Sequence, residues 1–169
     1  MNASCQSEAL YAPCLDPVEF RKAVSLFTTG VVVVSCDDEA GGVHGTTVNS
    51  FTSVSLSPPT VLISLKEGRM HKLISERGKY GISILREGQQ GFSSHFAGKP
   101  NEQLKPSFET MGTVPVLDES LAWFECHLVK QIQVRDHTLF VAEVVKCGRD
   151  DGAPLVFFGS QYHCQMQPA

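Results

Sequence analysis

The segment that most constrains the fold begins at Leu121, where apolar and polar residues start to alternate. Ala122, Phe124, Cys126, Leu128, Ile132 and Val134 fall on one face, with Glu125, His127, Gln131 and Gln133 on the other. A period of two puts successive side chains on opposite faces, as in a strand with one buried side. Arg135-Asp136-His137 reads as a tight turn into a second strand over residues 138–146, and Pro154-Leu155-Val156-Phe157-Phe158 as the strand that closes the sheet. Upstream, the β-branched run at residues 31–35 and the apolar runs at 60–65 and 80–85 are each long enough for a buried strand. Six or more antiparallel-looking strands with few helices predict a mainly β chain in the form of a closed antiparallel barrel.

The remaining segments supply caps, turns and a tail. Asp16-Pro17-Val18-Glu19 is a helix start, with an N-cap, proline at the first position and an acid in the first turn. Phe20, Ala23, Val24 and Phe27 then share one apolar face, and Thr29-Gly30 stops the helix. Residues 37–42 form an acid- and glycine-rich hairpin turn. Met70, Leu73 and Ile74 mark a short helix ended by Gly78, and Phe92 and Phe96 another over residues 87–96. Residues 97–113 read as a long surface loop of the kind that serves as a lid. Residues 1–15 are polar and aperiodic, a flexible tail. Residues 16–165 then form a single domain, within the reach of a 169-residue chain.

Composition removes several function classes. A net charge of −4 and no basic run argue against nucleic acid as a partner. No apolar run approaches the roughly 20 residues of a spanning helix, and residues 1–13 lack the basic and apolar regions of a signal peptide, so the expected compartment is the cytosol. Six cysteines (Cys5, Cys14, Cys36, Cys126, Cys147, Cys164) are spaced too widely for a Cys-x-x-Cys pair. They are expected to be free thiols, with no structural metal. No Gly-x-Gly-x-x-Gly, Walker A, His-Glu-x-x-His or Gly-x-Ser-x-Gly occurs, so a nicotinamide would have to be held without the usual phosphate-cradling turn.

What chemistry the chain carries is concentrated in residues 43–59. Eight of these are Ser, Thr or Asn, and none is Lys, Arg, Asp or Glu. Solvated loops usually recruit charge. A neutral, hydroxyl-rich segment between apolar strands suits a wall that hydrogen-bonds a polar, uncharged ring system, although an edge strand with a Ser/Pro turn reads the same way. Lys66, Arg69, His71 and Lys72 form a cationic cluster near a helix start, suited to a diphosphate or to simple solvation. His137 follows Asp136 at a strand turn, where the acid can fix the ring's orientation.

Taken in order, Phe20-Arg21-Lys22-Ala23, Phe27-Thr28-Thr29-Gly30-Val31, the 43–59 stretch, Asp136-His137 and Gly159-Ser160-Gln161-Tyr162 resemble the short-chain flavin reductases. These are reductase components of two-component flavin monooxygenases. Leu65-Lys66-Glu67-Gly68-Arg69-Met70-His71 and Ala122-Trp123-Phe124-Glu125-Cys126 are most similar to the styrene monooxygenase type. The resemblance implies an FMN-binding split β-barrel and an NAD(P)H-dependent reductase that moves hydride from NADH or NADPH to FAD or FMN. It also implies a homodimer and a partner monooxygenase of the styrene or indole epoxidase type. It sets Thr29, Thr46, Thr47, Val48, Asn49, Ser50, Phe51, Ser53 and Ser55 against the flavin; Lys66 and His71 of the cationic cluster are candidates for phosphate, although Glu67-Gly68-Arg69-Met70 departs there from the small hydroxyl residues common in that family. Phe96 would stack on a cofactor ring, Tyr162 and His163 line the same pocket, and His137 with Asp136 handle the nicotinamide. Arg135 stands where that family's motif usually has glycine. Two other classes fit the same residues: a flavin-binding electron carrier, and a non-enzymatic interaction barrel.

Overall fold

The computed structural model describes residues 15–164; the expected tail, apart from Leu15, and Cys5 and Cys14 lie outside them. In chain order the elements are α1 (Pro17–Ser25), β1 (Thr29–Gly30), β2 (Val32–Asp37), β3 (Val43–Val48), β4 (Thr52–Leu56), β5 (Pro59–Lys66) and α2 (Arg69–Arg77). There follow β6 (Lys79–Ile84), α3 (Gln90–Phe96), β7 (Phe108–Met111), β8 (Val114–Leu117), β9 (Ala122–Val134), β10 (His137–Arg149), β11 (Val156–Phe158) and β12 (Gln161–His163).

Seven strands build the main sheet in the order β3-β2-β6-β9-β10-β5-β4, every pair antiparallel. Its two edge strands, β3 and β4, are joined in sequence by residues 49–51 alone. Three residues reach about 10 Å at most, so the sheet must roll until its edges meet. No ladder bridges them. The expected closed barrel is therefore corrected to a rolled sheet with an open seam. The expectation that residues 154–158 close this sheet also fails: β11 pairs with β1 and β12 in a separate three-stranded sheet.

β2 divides the interior in two. Val32, Val34 and Cys36 enter the core inside the roll with Ile63, Tyr80, Ile82, Cys126 and Phe140. Val31 and Val33 enter a second core with Leu85, Leu117 and Leu155, flanked by Phe92, Phe96, Phe157 and Tyr162. Fully burying such a side chain stabilises by about 1.5–3 kcal/mol, which is why a run of four valines makes a central strand.

β8 lies directly on β2 and β6. The Ser35 hydroxyl donates to the Pro115 carbonyl at 2.6 Å, and Leu117 N–H to Ser83 Oγ at 2.8 Å. Between the serines, Gly81 leaves room for the Pro115 carbonyl, which a Cβ would strike. The segment expected as one long loop is thus shorter: β7 starts at Phe108 and pairs with β8.

Two other expectations are corrected by packing. The apolar stripe of α1 exists, capped by Asp16 Oδ1 accepting from Val18 N–H at 2.9 Å, but the helix ends at Ser25 and buries none of its residues. In β9, Ile132 and Val134 are exposed rather than continuing the face of Phe124 and Cys126. The reason is a bulge. Val141 pairs with Lys130 but Ala142 with Leu128, so Val129 is an extra residue, and alternation slips by one. Beyond it, Gln131 and Gln133 lie opposite Phe140 and Thr138 and share their face, while Ile132 and Val134 turn outward.

Candidate functional site

The seam is where the neutral stretch lies. Ser50 Oγ donates to the Ser64 carbonyl and accepts from the Ser64 N–H, both at 3.0 Å, so one hydroxyl pins the β3–β4 connection to β5. Thr47 Oγ1 donates to the Ser93 carbonyl at 2.8 Å, tying β3 to α3. Ser55 Oγ accepts from Ser57 N–H at 3.2 Å. Thr46 and Val48 are half-buried on β3, Phe51 stacks on Phe124 at 5.6 Å, and Ser53 is exposed on β4. Much of the hydroxyl content therefore serves the fold. The Asn49 side chain has no partner among the described residues.

Asn49 borders three adjoining clefts. One, of about 180 Å³, is walled by Val31, Thr47, Ala97, Phe157 and Tyr162. A second, of about 250 Å³, is walled by Thr29, Gly30, Phe51 and Ile84. The largest, of about 720 Å³, runs between α1 and the seam and is bordered by Phe20, Arg21, Val24, Phe157, Ser160 and Asp136. That volume lies within the usual span of ligand sites, and its walls combine apolar surface with a few polar groups. The unburied stripe of α1 is a wall of this cleft. Among residues that sequence did not single out as site residues, Phe157, Ser160 and Arg21 border it; the run Gly159-Ser160 and the pair Phe20-Arg21 were the signals available.

At the opposite rim sits the β9–β10 turn. Arg135 takes φ 56°, the left-handed region that glycine occupies without cost. Asp136 Oδ2 is 2.9 Å from Lys66 Nζ and Oδ1 is 2.9 Å from His137 Nδ1. The lysine, and then the imidazole hydrogen bond, hold the Asp136 carboxyl at about 2, well below its ordinary value. An ionised carboxylate only accepts, so His137 donates from Nδ1, and a neutral ring then offers the Nε2 lone pair to an N–H donor.

The cations expected to meet phosphate are engaged elsewhere: Lys66 with Asp136, Arg69 with Asp38 at 3.1 Å, and Lys72 with Glu39 at 3.1 Å. The Lys66 and Lys72 pairs are exposed on both sides and worth little individually, so they can open, whereas the Asp38 carboxylate that meets Arg69 is largely covered. His71 lies edge-on to Phe140 at 5.0 Å, with Nε2 2.9 Å from Thr138 Oγ1. Phe96 packs over Gly45 and against Phe108, outside the three clefts. Tyr162 borders the smallest cleft, its hydroxyl 2.8 Å from Ser93 Oγ, whereas His163 is exposed and bonds the Phe158 carbonyl. Among the described residues no three His, Cys, Asp or Glu side chains converge as a metal site would require, and no helix is long and apolar enough to cross a membrane.

The walls of these clefts suit the polar edge of a flavin. The Thr29 hydroxyl, at the wall of the second cleft, is buried without a hydrogen-bond partner, an arrangement that a polar ligand edge would relieve. Residues 24–164 match the flavin reductase like domain. The chain belongs to the flavin reductase family. Among its curated relatives, the NADH-dependent flavin reductase StyB of Pseudomonas fluorescens is 47% identical over 158 residues, covering 91% of this chain and 93% of that protein. Among solved structures of the family, the styrene monooxygenase flavin reductase SMOB of Pseudomonas putida S12 is 49% identical, with a TM-score of 0.83 over 89% of this chain and 99% of that one. The NADH:FAD oxidoreductase SgcE6 of Streptomyces globisporus C-1027, solved with NAD and FAD fragments, is 31% identical, with a TM-score of 0.82 over 90% of this chain and 94% of that one.

Proposed function

We propose that this chain is an NADH-dependent flavin reductase that supplies reduced FAD or FMN to a separate monooxygenase of the styrene-oxidising kind. The observation that carries the reading is the large cleft, where Asn49 of the seam and Asp136 of the turn border one space on the fold of known reductases. Bound nicotinamide and flavin supply the hydride chemistry between them, so the protein needs no nucleophile of its own.

The chain's part is to bind, orient and exclude water. Asn49 and the unpartnered Thr29 hydroxyl meet the polar edge of the flavin, with Phe51 and Phe157 supplying apolar surface. Asp136, ionised at neutral pH and paired with Lys66, fixes the His137 ring, and the Nε2 lone pair accepts from the carboxamide N–H of the nicotinamide. Losing such a hydrogen bond costs about 0.5–1.5 kcal/mol if neutral and about 1.5–3 if charge-assisted. His137→Ala therefore slows flavin reduction by roughly twofold to a hundredfold, with flavin affinity kept.

We place the working enzyme in the cytosol as a homodimer. Cys36, Cys126, Cys147 and Cys164 are free, as a reducing compartment would leave them. α1 exposes Phe20 and Val24, Phe27 is exposed just beyond it, the edge strand β4 exposes Val54 and Leu56, and β9 exposes Ile132 and Val134. An unpaired strand edge beside apolar surface favours a second copy. Initial rates measured with NADH and NADPH against FAD, FMN and riboflavin test the activity. Rates that rise with added flavin under NADH support it; flavin fluorescence left unquenched and no NADH oxidation would overturn it.

A further inference from the structure

Gln133 and Thr138 have no place in the chemistry above, yet they meet in a chain of hydrogen bonds around the Asp136-His137 turn. Thr138 is 3% exposed. Its hydroxyl donates to Gln133 Oε1 at 2.7 Å, and Gln133 Nε2 donates to the Arg135 carbonyl at 2.8 Å. Since that hydroxyl has only one proton, His71 Nε2, 2.9 Å from the same oxygen, must be the donor to it. The chain therefore runs one way, from α2 to the turn, and both the neutral Nε2–H ring and the charged ring sustain it.

Gln133 reaches Thr138 only because of the extra residue Val129. Without the bulge, Gln133 would stay on the face opposite Phe124 and Cys126, as the plain alternation predicts. Bulges commonly re-aim side chains beside functional sites. Two contacts then bracket the pair, of which Asp136 borders the large cleft: the Arg135 carbonyl just before Asp136, and Thr138 just after His137.

We propose that His71, Thr138 and Gln133, the last set on the face of Thr138 by the Val129 bulge, are positioning residues that set the Asp136-His137 turn for the nicotinamide. The inference rests on the role given to His137 above. It also assigns His71 to this brace rather than to a phosphate.

The test is a double-mutant cycle on flavin reduction by NADH, with flavin affinity measured in parallel. Thr138→Val keeps the shape and removes the hydroxyl, and is expected to lower kcat/KM for NADH about threefold to tenfold with flavin affinity unchanged. Thr138→Ser, which restores the hydroxyl, returns most of the rate. Gln133→Leu, on the exposed part of β9, reports on the same brace should the valine variant fold poorly. In a His137→Ala background, Thr138→Val or Gln133→Leu should cost little more, because residues acting through one group are not additive. Parental kcat/KM in both Thr138→Val and Gln133→Leu would overturn the brace, as would equal losses with and without His137. A parental rate in His137→Ala alone would instead overturn the reading of His137, and the brace with it.

Discussion

Asp136 shows how far a single side chain's role could be read from its neighbours in sequence. Its pairing with His137 followed from adjacency at a turn, but Lys66, seventy residues upstream, was assigned to phosphate because a cation's partner is set by the fold. The same holds for Thr47 and Ser50, whose hydroxyls bond Ser93 and Ser64. Because the Asp136 carboxyl lies at about 2 against an ordinary 3.8, the tether contributes fully above that ordinary value and is lost as pH falls through about 2. NMR titration of this carboxyl should give a midpoint near 2, moving up toward 3.8 in Lys66→Gln; an ordinary midpoint in the parent would break the tether. The thiols divide by burial in a similar way. Burial, aided by the neighbouring Asp37 and Glu125 charges respectively, pushes Cys36 to about 11 and Cys126 to about 12. Only the thiolate reacts. Peptide mass spectrometry after alkylation at pH 7.5 should find Cys147 modified in the native protein, and Cys36 and Cys126 only after unfolding.

Helices and hairpins with local signals appear where the sequence puts them: Asp16 caps α1, Gly78 ends α2 in the left-handed region, and Asp38 accepts from Ala40 and Gly42 N–H to turn β2 into β3. β9 departs from its pattern because a bulge costs one residue and leaves the apolar content unchanged. The doublet Leu128-Val129, two adjacent apolar residues in an alternating run, is its only trace. β7 fell inside an expected loop and β8 just after it was not read as a strand, since what holds β8 is the platform of Ser35, Gly81 and Ser83 on other strands. That platform makes a sharp prediction. Gly81→Ala drives a Cβ into the Pro115 carbonyl, a backbone atom that can move only with β8. Overpacking of this kind typically costs about 1–3 kcal/mol, which urea unfolding would register as a lower midpoint. Ala at Gly30, where a Cβ meets nothing within 4 Å, is the control and should leave the midpoint nearly unmoved.

Six of the seven main-sheet strands were legible in the sequence, while most of the short strands outside it and the closure were not, because which edges meet is a property of non-local pairing. The surface left over is informative: Leu56 on the edge strand is 89% exposed and Phe27, just past α1, 76%, apolar surface of the kind that marks an interface. Analytical ultracentrifugation should find a dimer in the parent and a monomer after Leu56→Glu with Ile132→Glu; a monomeric parent would remove the second copy. The open seam couples the ligand to the fold by mass action. A flavin lodged at residues 49–51, as proposed, would bind the rolled sheet and not the unfolded chain, so at a hundred times its dissociation constant it would add about 2.7 kcal/mol to stability. Substrate would then act as the missing rung of the sheet. Its departure after each turnover would leave the Ser50–Ser64 bridge as the strap across the gap, and the amide of Ser64 as the hydrogen-exchange reporter of whether the enzyme is loaded.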